Sequence, residues 1–309
     1  LSARQLERLF ADLARHLPWE SAAEVALEAN PDSFDPDKAK RLADLGVNRV
    51  SIGVQSFQPH LLRILERRHD PAHIRPAVEA GLKHIGRVSV DLIFAVPGQT
   101  LEEWDADLRA AMAFGPEQIS TYGLTFEKGT RLWKQQRNGA VRELGEDLEY
   151  RMYTHAMDVL EAAGYRQYEI SSFARPGGCC RHNQVYWANE AFFGFGVGAA
   201  AYVNGTRTLN VRNTQEYIRR LFAGESPAFQ SETLPPEDRA RETLALNLRR
   251  AEGANRERFR EQTGLDLDAL AGPALRRHVG FGSIDDDGAS VRLTRQGRCV
   301  ADSVVGDLL

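Results

Sequence analysis

From Leu1 to about Ser172 the chain alternates short runs rich in Val and Ile with longer amphipathic segments, and this rhythm narrows the fold more than any other feature. Val25–Ala29, Val50–Val54, Val88–Val96 and Ile119–Phe126 carry few charges. Runs of this kind suit strands kept from water on both faces of a parallel sheet. The segments between them have helix signals. Asp35-Pro36 opens one that Gly46 closes, an acidic N-cap with Pro in the first turn and Gly as the stop. Thr100 and Glu103 form a capping box for another, and a longer helix is expected from Glu146 to Ala163 before Gly164. A further strand is expected over Tyr165–Ser171. Repeated βα units joined by right-handed crossovers predict an α/β fold, a barrel or an open parallel sheet.

Past Ser172 the texture changes. Residues 173–231 are irregular apart from a helix expected over Thr214–Ala223, and they contain the run from Phe192 to Tyr202 with Gly194, Gly196 and Gly198. After Pro235-Pro236 three helices are expected: one beginning at Glu237-Asp238 and ending at Arg249-Arg250, one over Arg256–Thr263 and one over Leu267–His278. Asp287-Gly288 then marks a hairpin, and Thr294 caps a last helix running through Val305. Helices followed by a hairpin suggest a small winged-helix-like domain. The chain is therefore read as three parts, 1–172, 173–231 and 232–309.

Composition excludes several classes. A formal net charge of -4 over 309 residues offers no basic surface for nucleic acid. The segment from Leu1 to Leu17 is charged throughout and reads as an amphipathic helix, not a signal peptide. No stretch is long and apolar enough to span a bilayer, which leaves only peripheral association with a membrane. The three cysteines, Cys179, Cys180 and Cys299, do not make a disulfide framework, and a reducing, cytoplasmic compartment is expected.

Hydrophilic residues stand where strands should be apolar. Glu28 ends the first run, Gln55 the second, and Asp91 interrupts the third in Val90-Asp91-Leu92. A carboxylate in such a place needs a partner or a function. In parallel α/β folds the carboxyl ends of the strands converge on the ligand site, and acceptors there suit hydroxyls and an ammonium. Each alone can equally be one half of a structural ion pair. Arg67 could meet a carboxylate bidentately or be a solvated surface residue. His182-Asn183-Gln184-Val185-Tyr186-Trp187 offers an imidazole beside two aromatic faces, as a metal or haem ligand or as ordinary packing. The glycine run lacks the spacing and acidic partner of a dinucleotide fingerprint, so close backbone approach explains it better.

Taken in order, several segments resemble one family. They are Glu28-Ala29-Asn30-Pro31, Gly53-Val54-Gln55-Ser56-Phe57, Asp91 to Thr100, Leu124 to Thr130, His182 to Trp187 and Leu293-Thr294-Arg295-Gln296-Gly297. Together they are similar to the HemW branch of the radical S-adenosylmethionine superfamily, haem-handling relatives of the oxygen-independent coproporphyrinogen III oxidases. The resemblance covers essentially the whole chain. It implies an incomplete (β/α)6 barrel with a C-terminal winged-helix-like domain, binding S-adenosylmethionine above a [4Fe-4S] cluster. It assigns Arg67 to the cofactor carboxylate, Gln55 and Asp91 to the ribose hydroxyls, Glu28 to the aminoacyl end and Ala200 to the nucleoside. It makes His182 the haem contact. The implied activity is that of a haem chaperone with a haem-acceptor protein as partner. The alternatives are an oxygen-independent coproporphyrinogen III dehydrogenase and a binding module without catalysis. The family's spaced cysteines and its Gly-Gly-Gly-Thr-Pro segment are not in this sequence, so the chain is expected to be an N-terminally truncated body without cluster ligands. Many relatives also carry a His where this chain reads Gly198-Ala199-Ala200-Ala201.

Overall fold

The computed structural model describes residues 1–17, 19–67 and 69–309, without the side chain of Ala3; Arg68, beside Arg67, lies outside the described residues. The chain forms two compact units, Leu1–Cys179 and Cys180–Leu309.

The first unit runs α1 (Ala3–His16), β1 (Ala26–Ala29), α2 (Pro36–Asp44), β2 (Arg49–Gln55), α3 (Pro59–Ile64), α4 (Pro71–His84), β3 (Val88–Phe94), α5 (Leu101–Ala113), β4 (Gln118–Gly123), α6 (Arg131–Arg137), α7 (Glu146–Ala162), β5 (Arg166–Gln167) and β6 (Ser172–Ala174). Its sheet has the order β1-β2-β3-β4-β6-β5, with β1 to β4 mutually parallel. The capping box at Thr100 and the Asp35 cap form as expected, through Glu103 and Lys38 N–H.

The two faces of the parallel strands differ. Val50, Ile52, Val54, Val88, Val90, Leu92 and Ile119 are fully buried on one face. The helices pack there, and α4 comes so close that a Cβ at Gly81 would stand 3.1 Å from Val88 and 3.2 Å from Val50. Strand side chains alternate between faces, so Ser51, Ser89, Asp91, Gln118 and Ser120 occupy the other. Ser89, Gln118 and Ser120 are buried too. The expectation of shielding on both faces holds for the sheet's centre, but the second face is hydroxylic instead of apolar.

Three strand expectations are corrected. The runs over Val88–Val96 and Ile119–Phe126 stop at Phe94 and Gly123, where the β3–β4 register ends. Ala95 takes a φ of 60° and turns the chain out of the ladder. The strand expected over Tyr165–Ser171 is instead two short strands with a turn between them. Glu169 is buried and its carboxylate accepts from Ser171 N–H at 3.0 Å, while Ser172 N–H donates to Glu169 O at 3.2 Å. The chain therefore reverses, and β6 runs antiparallel to β4.

At the amino ends of the strands Arg49, 2% exposed, closes the sheet. Its guanidinium donates to Glu24 at 3.0 Å, to Gly178 O at 2.7 Å and to Cys179 O at 3.1 Å.

The second unit runs α8 (Arg181–Trp187), β7 (Ala200–Val203), β8 (Thr206–Asn210), α9 (Thr214–Phe222), β9 (Ala228–Thr233), α10 (Pro236–Leu248), β10 (Ala254–Asn255), α11 (Arg256–Thr263), α12 (Leu267–Gly280), β11 (Ile284–Asp286), β12 (Ser290–Leu293), α13 (Arg295–Cys299) and α14 (Ala301–Gly306). β7, β8 and β9 form an antiparallel sheet, and β10-β12-β11 a second. The hairpin turn forms at Asp287, whose carboxylate accepts from Ala289 and Ser290 N–H at 3.0 and 2.8 Å. The single last helix expected from Thr294 to Val305 is broken: Val300 leaves helical geometry at φ -125°, ψ 28°, and its N–H closes on Gly297 O, three residues back.

Candidate functional site

The hydroxylic face of β1 to β4 gathers two of the sequence-derived site residues. Asp91 is half-buried at the middle of β3. Ser51 Oγ donates to its Oδ2 at 2.7 Å and Ser89 Oγ to its Oδ1 at 3.3 Å, with Ser120 as a third donor. Burial pushes the Asp91 carboxyl up to about 6; the three hydroxyls oppose that shift and the Glu28 charge adds to it. Glu28 pairs with Ser51, and Ser51 with Ser89, so it stands on the same face one row from Asp91. It is exposed, so the cost of burying a charge does not apply to it. Tyr122, two positions beyond Ser120 on β4, shares this face: burial pushes its phenol up, and the Asp91 charge adds to the shift. Sequence reading missed Tyr122 and the serines, although the period of two in Val88-Ser89-Val90-Asp91 and Gln118-Ile119-Ser120-Thr121-Tyr122 marks one polar face.

Gln55 is the last residue of β2 and is buried, yet its φ is 67°. Ser56 N–H donates to Val54 O at 2.8 Å, making Gln55 the centre of a three-residue γ-turn. For a non-glycine residue this turn is rare and costs about 1–3 kcal/mol, and such strain concentrates at ligand sites. The Gln55 side chain folds back over Gly53, where a Cβ would stand 2.7 Å from its Nε2 and 3.8 Å from Asn30 Oδ1. Only glycine leaves that space.

Arg67 follows α3. The next described residue, His69, is buried and its Nε2 meets Val54 O at 3.2 Å, which fastens this stretch to the end of β2. Burial lowers the His69 pKa, the hydrogen bond with Val54 O opposes this and the Arg67 charge lowers it further; because a carbonyl only accepts, Nε2 is the donor. Arg67 itself lines an open cleft of about 810 Å³ with His60, Arg63, Glu66, Arg131 and Gln135. Glu28, Gln55 and Asp91 are not part of that lining.

Ala200 and His182 belong to the second unit. Ala200 opens β7 and is exposed, opposite Leu209 on β8. A Cβ at Gly194 would stand 2.0 Å from Ala200 O, so that glycine serves close backbone approach, while Gly196 and Gly198 take positive φ of 107° and 68° in the turn before the strand. His182 is exposed on α8. Its ring meets Tyr186, one turn on, edge to face at 4.7 Å; Tyr186 meets Phe192 the same way at 4.6 Å, and Phe192 packs at 6.4 Å from Tyr202. Arg249 lies over the Trp187 ring at 5.0 Å. Among the described residues no three His, Cys, Asp or Glu side chains gather as a metal site.

The Radical SAM superfamily profile matches residues 4–111, and that of the HemN C-terminal domain matches residues 234–300. "Heme chaperone HemW" of Bacillus subtilis is 36% identical over 312 aligned positions, covering 100% of this chain and 82% of that protein. The protein of the same name from Lactococcus lactis is 33% identical, covering 96% of this chain and 78% of its own length. The coproporphyrinogen III oxidase HemN of Escherichia coli, a radical SAM enzyme, superposes with a TM-score of 0.84 at 19% identity, over 100% of this chain and 74% of that one, a likeness of fold. The chain belongs to the HemW family of radical S-adenosylmethionine proteins.

Proposed function

We propose that the protein is a haem chaperone: it takes up haem at His182 and passes it to an acceptor protein, and the hydroxylic strand face holds S-adenosylmethionine. The observation that carries the haem reading is the exposed His182 imidazole, set edge-on against Tyr186 in a chain of aromatic contacts, in a chain of the HemW family. The fold likeness to HemN is shared by the porphyrinogen oxidase alternative and does not choose between them.

The residues present fit an adenosyl ligand. Glycine at position 53 leaves room for the Gln55 amide to fold over the strand end, and Glu28 and Asp91 place two acceptors on one face of the sheet. In this reading Asp91 accepts from a ribose hydroxyl, Gln55 from the other, Glu28 holds the ammonium of the aminoacyl end and Arg67 its carboxylate. The chemistry S-adenosylmethionine supplies when bound is a sulfonium with a cleavable carbon–sulfur bond. A [4Fe-4S] cluster needs spaced thiolates. Cys179 and Cys180 are adjacent and Cys299 stands far along the chain from both, so these three side chains do not have the spacing of that ligand set. Cys179, Cys180 and Cys299 are free thiols, and a reducing, cytoplasmic compartment is part of this proposal. Among the described residues no helix is long and apolar enough to cross a membrane.

Haem titration followed by absorbance tests the leading reading. His182→Ala is expected to weaken haem binding by roughly tenfold and to change the spectrum of the bound haem, the signature of a lost axial ligand. Equal affinity and an identical spectrum would reduce His182 to packing. Conversion of coproporphyrinogen III to a vinyl product by the unaltered protein would favour the oxidase.

A further inference from the structure

The strained turn at Gln55 must be held by its surroundings, because a γ-turn of positive φ relaxes when nothing fixes it. One side chain supplies most of the hold. Asp107 lies at the centre of α5, on the stripe of Trp104, Leu108 and Ala111, and is fully buried. Its carboxylate accepts from three consecutive residues: Ser56 Oγ at 2.6 Å, Phe57 N–H at 2.9 Å and Gln58 Nε2 at 3.2 Å. Gln58 N–H in turn donates to Ser56 Oγ at 3.0 Å. The same helix ends at Phe114, whose ring stacks on Phe57 at 6.2 Å. On the other side of the turn His69 fixes the Val54 carbonyl. Gln55 is thus enclosed between two anchored peptides.

A carboxylate is a costly filler for an apolar helix stripe, and an apolar residue of similar size would pack there more cheaply. The three hydrogen bonds to this carboxylate come from the residues directly after Gln55, which gives it a geometric purpose. We propose that Asp107 is a positioning residue that keeps Gln55 in its left-handed conformation and thereby sets the affinity of the chain for its adenosyl ligand. This rests on the reading of Gln55 as a ligand contact.

The test is a double-mutant cycle in the 309-residue chain, with S-adenosylmethionine binding measured by calorimetry. Asp107→Asn replaces one carboxylate oxygen with an N–H donor, so the hydroxyl of Ser56 loses its acceptor while the remaining oxygen can serve Phe57 N–H, and about a tenfold loss of affinity is expected. Because Asp107 acts through Gln55, the double variant with Gln55→Ala should bind no more weakly than Gln55→Ala alone. Amide exchange at Phe57 should quicken in Asp107→Asn. A purely structural Asp107 would give unchanged affinity, or losses that multiply in the double variant, and either result overturns the positioning role. Should Asp107→Asn not fold, Ser56→Ala removes the 2.6 Å bond, together with the one from Gln58 N–H, while Phe57 N–H keeps its acceptor, and is expected to lose about threefold; no loss there overturns the role as well. Indifference to Gln55→Ala itself is a separate failure, that of the site reading.

Discussion

Asp91 shows what a polar strand face demands of a single residue. Three serine hydroxyls solvate its carboxylate, yet burial still dominates and holds its pKa near 6, above the ordinary 3.8. The native state therefore binds the proton more tightly than the unfolded chain. Ionised Asp91 costs stability at pH 7; the cost shrinks as pH falls through 6 and is gone below about 4. Asp91→Asn is expected to stabilise the chain by roughly 1–3 kcal/mol at pH 7 and by almost nothing at pH 4. Urea unfolding at both values checks this. The substitution should also weaken S-adenosylmethionine binding, because the amide nitrogen cannot accept from a ribose hydroxyl. A residue that lowers stability and raises affinity has the profile of a site residue.

At the scale of elements, what the sequence made legible follows the strength of the local signal. Asp35-Pro36, Thr100 with Glu103, and Asp287-Gly288 each form the cap or turn their side chains dictate. The strand runs were recognisable from their Val and Ile, and Glu28, Gln55 and Asp91 stood out against them. The polar face itself was harder to see: alternation must be followed across neighbouring strands before Ser51, Ser89, Ser120 and Tyr122 become one surface. Asp107 was hidden because an Asp in a helix usually faces water; only its place in the stripe with Trp104, Leu108 and Ala111 marks it. The reversal at Glu169 rests on a side-chain bond to Ser171 N–H, which no periodicity encodes. Backbone crowding is equally invisible in sequence. A Cβ at Gly297 in α13 would stand 1.9 Å from Ser283 O, with backbone that cannot step aside. Gly297→Ala is therefore expected to destabilise the second unit by about 2–3 kcal/mol despite the better helix propensity of Ala. Thermal unfolding followed by circular dichroism would show the loss.

At the scale of the molecule, two compact units carry two chemistries: the first an acceptor-lined sheet face with a strained turn at its rim, the second an exposed imidazole backed by aromatic rings. Both belong to one chain of the HemW family, and the hydroxylic face is the part that must bind a ligand if the chain is to use S-adenosylmethionine at all. Hydrogen–deuterium exchange with and without S-adenosylmethionine addresses that face most directly. Slower exchange is expected over residues 53–57, at the end of β2, and over 91–95, where β3 gives way to the turn at Ala95. Unchanged exchange in both segments, or protection confined to regions away from these strand ends, would contradict an adenosyl site on this sheet.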